Sequence, residues 1–290
     1  MTIMSLSLKN LTFIIVTFKS EHIIHKCINS LPEESKIIII ENSSDKKFKE
    51  DLEKKYPNIK VIIEENKGMG SGNNLGIKIC KTDYAFIINP DVEFESNAIQ
   101  RIIDFSNEKS DYSILAPISD DIDYPNYKVK NKDSINNKLD YINVDSVDGF
   151  AMLIDKRKFD NDIYFDENFF LYLENEDLCL RKKKEKQNIY ILKTAKINHL
   201  GGKSPSIIYE NEIEYSRNWH WMWSKFYFNK KHYGYVNSFL KIFPALVSSQ
   251  FKYIYYFIIF KKHEKKIYKM RFLGIINAML GKKSWYRPKI

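Results

Sequence analysis

The sequence has few cysteines, and they do not form a recognisable framework. Only Cys27, Cys80 and Cys179 occur among 290 residues. Their odd number, their wide spacing and the absence of a Cys-x-x-Cys pair argue against both a disulfide-stabilised domain and a structural zinc site. We therefore expect three free thiols in a protein of a reducing compartment.

Signals for export or membrane insertion are also missing. Lys9 is the only basic residue before the first apolar stretch, and no cleavable leader pattern follows it. A mostly apolar stretch, residues 239–260, contains Lys241, Pro244 and Lys252, whereas a spanning helix needs about 20 largely apolar residues. We expect a cytoplasmic protein without a transmembrane helix.

Acidic residues are nearly absent from the C-terminal quarter of the chain. Residues 221–290 contain 15 Lys and Arg and a single acid, Glu264, which gives a net charge of +14. Residues 1–220 contain 31 basic and 36 acidic residues, a net charge of −5. This acidic balance counts against a nucleic-acid groove, and the two parts should face different partners.

Residues 1–205 show the alternation of an α/β fold, and residues 206–290 form a second region that lacks it. The predicted helices cover residues 21–31, 47–56 and 96–107, with Ser20 and Ser96 as caps of the first and third. The predicted strands cover residues 11–17, 36–40, 61–63, 84–88, 113–117 and 189–192, and residues 147–154 return the chain to the core. This spacing predicts a mostly parallel, doubly wound sheet flanked by helices.

The chain is organised around residues 84–93, an apolar run that stops at Asn89, Pro90 and Asp91. Ligands bind open α/β sheets at the carboxyl ends of the strands, and proline ends the ladder because it has no N–H. Oxygen ligands on such a stiff turn suit a hard divalent cation that is also bound by substrate phosphates. The alternative is an ordinary turn after a strand.

A glycine-rich segment at residues 64–76 follows the third predicted strand. Glycines and a helix amino terminus could cradle a phosphate there. The segment is neither a P-loop, since no Gly-Lys-Ser/Thr follows, nor a Rossmann fingerprint, which would follow the first strand. A flexible turn is the alternative.

An aromatic and acidic segment at residues 165–181 precedes a basic helix. Glu176 and Asp177 have a structural explanation, because acids in a first helical turn complement the macrodipole. Glu174 lies nearer the aromatic residues, where desolvation would raise its pKa and suit it to accept a proton. His199, a single histidine, gains interest only from the glycine pair and the lysine that follow it.

Seven segments in this order resemble a family 2 glycosyltransferase of the bacterial rhamnosyltransferase-like branch, which builds cell-surface polysaccharides such as O-antigen. The resemblance implies a glycosyltransferase A-type fold, a nucleotide-sugar donor, a divalent metal (Mg²⁺ or Mn²⁺) and inversion at the anomeric carbon. The matching segments cover residues 13–20, 41–44, 65–76, 87–92, 148–154, 169–181 and 199–204.

The resemblance also implies roles for individual residues. Asp91 matches the metal-binding carboxylate of an Asp-x-Asp motif in which Asn89 replaces the first aspartate. His199 matches a position that completes the metal shell, and Asp148 and Gly149 match the acceptor side. The positions around the donor nucleotide are Thr17, Glu41, Asn42, Asn66, Gly68, Asn73 and Asn74.

The main departure from the family is Asn175, where many relatives have an aspartate that acts as base. An amide cannot accept a proton at neutral pH. The predicted base is therefore Glu174, with Asp177 and Glu176 behind it. Asp91 and the cation would hold the donor diphosphate while Glu174 deprotonates an acceptor hydroxyl.

Residues 206–290 combine aromatic rings with lysines and predict a helical extension. Such a composition suits the interface of an anionic membrane, which would place a lipid-linked or oligosaccharide acceptor within reach at the inner face of the cell membrane. A helical cap with a solvated basic face, or oligomerisation through this surface, are the alternatives.

Two other classes of function compete with a glycosyltransferase moving rhamnose from dTDP-rhamnose. A sugar-1-phosphate nucleotidyltransferase should have a glycine-rich, basic signature after its first strand, which residues 18–21 lack. A non-catalytic, membrane-associated scaffold should show no metal-dependent nucleotide binding. UDP-linked hexoses and galactofuranose are rival donors.

Overall fold

The computed structural model describes residues 5–121, 124–131, 138–160, 163–200 and 209–289. The chain divides into two compact units. The first unit comprises Met1–Asp166 and Asn175–Ser206, and the second comprises Glu167–Glu174 and Ile207–Ile290.

The first unit consists of strands and helices that alternate over much of its length. Its helices are α1 (Ile24–Asn29), α2 (Lys46–Lys55), α3 (Met69–Ile79), α4 (Ala98–Glu108) and α5 (Glu174–Lys184), the last beginning on a residue of the second unit. Its strands are β1 (Leu11–Thr17), β2 (Lys36–Glu41), β3 (Ile59–Ile63), β4 (Tyr84–Ile88), β5 (Val92–Phe94), β6 (Tyr112–Ser119), β7 (Tyr127–Lys128), β8 (Tyr141–Asn143), β9 (Ser146–Val147), β10 (Ala151–Asp155) and β11 (Asn188–His199).

The main sheet has a parallel half and a mixed half. Its order is β3-β2-β1-β4-β10-β6-β11-β5, with β8 also paired to β11. Strands β3, β2, β1 and β4 are parallel, whereas β10 runs antiparallel to both β4 and β6. Most positions in these four strands are apolar because helices cover both faces of the sheet.

Side chains alternate between the two faces of the sheet, and each face has its own core. Phe13 and Ile15 of β1 join the core that contains the apolar residues of α1, α2 and α4. Ile14 and Val16 join the opposite core with α3 and α5. Because β1, β2, β3 and β4 run in the same direction, their carboxyl ends lie together at one edge of the sheet.

The second part of the glycine-rich segment forms most of α3, and its glycines allow that helix to lie close to β1. A Cβ at Gly72 would lie 2.9 Å from the methyl carbons of Val16, and one at Gly76 would overlap Ile14. These two glycines therefore serve helix–strand packing. The helix starts after Gly68, whose φ of 108° favours glycine.

The predicted capping roles of Ser20 and Ser96 are wrong. The Ser20 hydroxyl hydrogen-bonds with the backbone of Phe18 (3.2 Å to the carbonyl oxygen), and α1 begins only at Ile24. For α4 the residue before the first turn is Asn97, at φ 65°, without a side-chain cap. Both helices begin later in the chain than predicted because local turns precede them. The turn before α1 includes Lys19 at φ 54°.

In the part of the second unit that the structure describes there are three helices, α6 (Glu210–Tyr233), α7 (Tyr235–Ile258) and α8 (Lys262–Met279), which confirms the predicted helical extension. Gly234, at φ 85° and ψ 165°, joins α6 to α7 in a conformation available essentially only to glycine. Gly274 lets α8 approach the backbone of α6 at Trp219. Among the described residues, none of the helices combines the length and apolar character needed to cross a membrane.

His220 of α6 is a buried polar anchor for the C-terminal residues of the second unit. Its Nδ1 lies 2.8 Å from Ser284 Oγ, its Nε2 lies 2.8 Å from the Tyr286 carbonyl oxygen, and its ring stacks on Phe170. A carbonyl only accepts, so Nε2 carries the proton and Nδ1 accepts from the serine hydroxyl. Burial lowers the pKa of His220 to about 3.

This lowered pKa predicts that the second unit loses stability on acidification. The native histidine stays neutral while the unfolded one binds a proton near pH 6.5, so the free energy of unfolding falls as pH decreases below that value. We expect His220 to lower the free energy of unfolding by about 2 kcal/mol between pH 6.5 and pH 5. Thermal unfolding across this range, compared with His220→Gln, measures the contribution; equal slopes for the two proteins would contradict it.

Candidate active site

Asp91 lies in the short connection between the end of β4 and the start of β5. Pro90 interrupts the ladder, the Val92 N–H donates to the Asn89 carbonyl (3.2 Å), and β5 then pairs antiparallel with the end of β11. In this register Val92 lies opposite His199. The Leu200 N–H donates to the Asp91 carbonyl at 3.1 Å, which fixes the two chain segments beside each other.

The buried side chain of Asp91 pairs with the partly exposed side chain of His199. His199 Nε2 lies 3.5 Å from Asp91 Oδ1, and Asp91 is only 3% exposed. The His199 ring stacks on Phe150, with 3.9 Å between ring centroids. Among the described residues, Asp91 Oδ1 has no hydrogen-bond partner, although a buried carboxylate oxygen is costly without one.

These two residues fit part of the shell of a divalent cation. The unsatisfied carboxylate oxygen supplies the hard ligand that such an ion prefers, and the imidazole nitrogen beside it supplies a second. Within the described part of the chain, no group of three or more His, Cys, Asp or Glu side chains could hold a metal. A cation here would need oxygen atoms from a bound diphosphate or water to complete its shell.

Asp148 and Gly149 lie between β9 and β10, next to the start of α5. A Cβ at Gly149 would be 3.2 Å from Asn175 Cβ, and Asn175 Nδ2 donates to the Val147 carbonyl at 2.8 Å. Burial raises the pKa of Asp148, partly offset by the positive charge of Lys128. The Asn175 amide therefore has a structural function as a donor to the backbone.

Glu174 follows a backbone segment with unusual dihedral angles in the second unit. Tyr172 and Leu173 both have left-handed conformations, at φ 71° and 68°, which are uncommon for such side chains. Ser224 Oγ donates to the Leu171 carbonyl at 2.8 Å, and Tyr172 packs edge-on against Trp221. Contacts with α6 thus maintain the strain just before Glu174, which is 8% exposed.

Asp177, also predicted to be catalytic, forms an ion pair within α5. Arg181 Nε donates to Asp177 Oδ2 at 3.0 Å, and Asp177 is fully buried. The Arg181 guanidinium also donates to the Tyr164 carbonyl. Glu176 pairs with Lys128. These contacts give Asp177 and Glu176 structural partners on the first unit.

The predicted nucleotide-side residues at the ends of β1 and β2 lie together at the edge of the sheet. Asn42 N–H donates to the Thr17 carbonyl at 2.9 Å, and Thr17 Oγ1 donates to Ile40 O at 3.4 Å. The Glu41 carboxylate accepts from the N–H groups of Ser43 (2.8 Å) and Asp45 (2.9 Å). Glu41 therefore holds the turn before α2, while Asn42 Oδ1 is buried without a hydrogen-bond partner among the described residues.

The predicted residues around α3 have different surroundings. Asn66 Oδ1 accepts from the Gly68 N–H at 3.2 Å, and Asn73 is buried with no partner for Oδ1 among the described residues. Asn74 makes two hydrogen bonds to the backbone of Phe165, each of 2.9 Å. Asn74 thus fixes the segment at Phe165, whereas Asn73 and Asn42 have oxygen atoms available for a ligand.

Phe150 is a further candidate site residue, beyond those predicted from the sequence. It stacks on His199, and its carbonyl accepts from the Asn89 N–H at 2.9 Å. The signal available in the sequence was an aromatic residue directly after Asp148 and Gly149. Its role depends on the antiparallel pairing of β10 with β4, which local sequence does not reveal.

The fold is that of an α/β protein, and the candidate site lies at the carboxyl edge of its sheet, where ligands bind in such folds. The sequence model of glycosyl transferase family 2 matches residues 12–163, more than half of the chain, and the chain therefore belongs to that family. Asp91 and Asp148 lie inside the matched segment, whereas Glu174, Asp177 and His199 lie beyond it.

One relative with a described activity is the low-salt glycan biosynthesis hexosyltransferase Agl10 of Haloferax volcanii. It is 24% identical over 210 residues, which cover 63% of this chain and 64% of that protein. The chain thus spans just under two thirds of the relative's length.

Two solved structures are similar in fold. A crystal structure of GalNAc-T7 with UDP, GalNAc and Mn²⁺ matches with a TM-score of 0.56 and 13% identity, covering 73% of this chain and 51% of that one. S. aureus TarS matches with a TM-score of 0.50 and 17% identity, covering 72% of this chain and 39% of TarS. The predicted glycosyltransferase A-type fold is confirmed.

Proposed function

We propose that this protein is an inverting glycosyltransferase that moves a sugar from a nucleotide donor to an acceptor hydroxyl. The observation that carries the proposal is the Asp91–His199 pair, with a buried carboxylate oxygen that lacks a hydrogen-bond partner among the described residues. The proposal is supported by the general rule that open α/β sheets bind ligands at the carboxyl ends of their strands and by the match of the chain to glycosyl transferase family 2.

Asp91 and His199 would hold a divalent cation, Mg²⁺ or Mn²⁺, which neutralises the charge on the departing diphosphate. Asn42 and Asn73 would direct their unpartnered amide oxygens to donor groups, and Thr17 and Gly68 would shape the same edge. Asp148 and Gly149 would lie on the acceptor side, and Glu174 would accept the proton of the attacking hydroxyl.

The proposed donor is dTDP-rhamnose, from which rhamnose would be transferred, because the sequence resembles the rhamnosyltransferase-like branch. The proposed acceptor is a lipid-linked saccharide of a cell-surface polysaccharide, consistent with the basic, aromatic C-terminal region. The Haloferax relative is a hexosyltransferase of glycan biosynthesis by name, and UDP-hexoses are therefore the donors to compare.

Ligand-induced thermal stabilisation tests this proposal directly. The full-length protein would be heated with dTDP-rhamnose, UDP-hexoses, UDP-galactofuranose or sugar 1-phosphates, each with and without manganese. At a ligand concentration 100 times the dissociation constant, binding adds about 2.7 kcal/mol to the free energy of unfolding. If no nucleotide sugar stabilises the protein, with or without manganese, the proposed function is refuted.

A further inference from the structure

Helix α7 has an apolar face that points away from the core of the second unit. Ser238, Ile242 and Ser249 are buried against that core. The opposite face exposes six apolar side chains, each 45–71% accessible, at intervals of three, four and eight residues. This outer stripe consists of Val236, Leu240, Phe243, Phe251, Ile254 and Ile258.

The outer stripe continues beyond the end of the helix. Phe257 on the helix and Ile259 and Phe260 after it are also exposed, and Phe260 is the most exposed large apolar residue among those described, at 87%. Scattered exposed apolar residues are ordinary, but a row at helical spacing along a 24-residue helix forms one continuous surface. Surfaces of this kind mark sites of association with proteins or membranes.

The charges around the outer stripe favour one of these partners. Lys241 and Lys252 lie exposed on α7, and Lys261 and Lys262 follow it. The helix contains no acid, and residues 221–290 have a net charge of +14. A second copy of this chain would bring two strongly positive surfaces together, whereas an anionic lipid surface complements them.

We propose that α7 lies flat in the surface of an anionic phospholipid membrane, with the outer stripe inserted among the acyl chains. The lysines along and after the helix contact the lipid headgroups. An amphipathic helix in this orientation buries its apolar face at the headgroup boundary. The inference deepens the proposed function, on which it rests for a lipid-linked acceptor, and it assigns the attachment to named residues.

Vesicle flotation tests the surface without any sugar substrate. The full-length protein would be mixed with vesicles of phosphatidylcholine alone, or with about one third phosphatidylglycerol as the anionic component. We expect binding to the anionic vesicles that weakens as salt increases. The Phe251→Ser, Ile254→Ser double variant keeps every charge and should bind at least about ten-fold more weakly because it removes inserted apolar area.

The matched control removes two exposed apolar residues elsewhere. Leu139→Ser with Ile163→Ser alters the first unit and should leave vesicle binding unchanged. Equal binding by the outer-stripe variant would overturn the proposal, and so would a dimer in solution that this variant abolishes. Donor-induced stabilisation, measured on the same variants without vesicles, should be unaffected. If the protein binds vesicles but no donor stabilises it, the proposed function is refuted and the proposed membrane-binding surface is kept.

Discussion

Replacing Asp91 with asparagine is expected to lower sugar transfer by about 10²–10³-fold, the usual effect of removing one preorganised electrostatic group. The substitution keeps the size of the side chain but removes the charge that holds a cation and, through it, the leaving diphosphate. Transfer assays at saturating donor, with manganese varied, measure the effect. We expect both the turnover and the manganese-dependent donor stabilisation to fall.

Glu93→Gln provides the matched control for Asp91→Asn. Glu93 is two residues along the same segment and is half-buried, with Lys26 at 3.9 Å as its ion-pair partner. The Glu93→Gln variant loses the same charge but leaves both residues of the Asp91–His199 pair in place. Equal activity losses in the two variants, or retention of manganese-dependent binding in Asp91→Asn, would contradict the role of Asp91.

The order of strands and helices could be read from the sequence because burial imposes it directly. Residues 37–40 and 84–88 are apolar runs because both faces of the sheet are covered there. The direction of β10 could not be read in this way. An apolar strand has the same composition whether it pairs parallel or antiparallel, and the chain reaches β10 through a long excursion that carries no periodic signal.

The site was predictable to different degrees for its two proposed metal ligands. Asp91 was indicated by its position at the end of a buried strand. His199 needed the family resemblance, because the pair forms through β5, a three-residue strand whose pairing with β11 joins residues more than 100 positions apart. Hydrogen-bond partners were equally hidden: nothing local shows that Glu41 and Asn74 bind backbone groups.

Asn175 makes a backbone contact that accounts for an amide at this position. Its amide nitrogen donates to the Val147 carbonyl, a bond that a carboxylate cannot make because it only accepts. An aspartate at this position would instead place its charge against that carbonyl oxygen. The neighbouring Glu174, following two strained residues, is the carboxylate that we propose for proton transfer.

Glu174→Gln is therefore expected to reduce turnover by about 10²–10⁴-fold, the range that general-base catalysis contributes. The amide has nearly the same shape, so donor binding should stay unchanged and the loss should appear in kcat. Steady-state transfer rates, combined with donor-induced thermal stabilisation of the same variant, separate the two effects. Glu185→Gln removes a carboxylate that pairs with Lys182 just after α5 and should keep wild-type turnover. Near wild-type transfer by Glu174→Gln with intact donor binding would remove Glu174 from the proposed mechanism and leave the proton to another group.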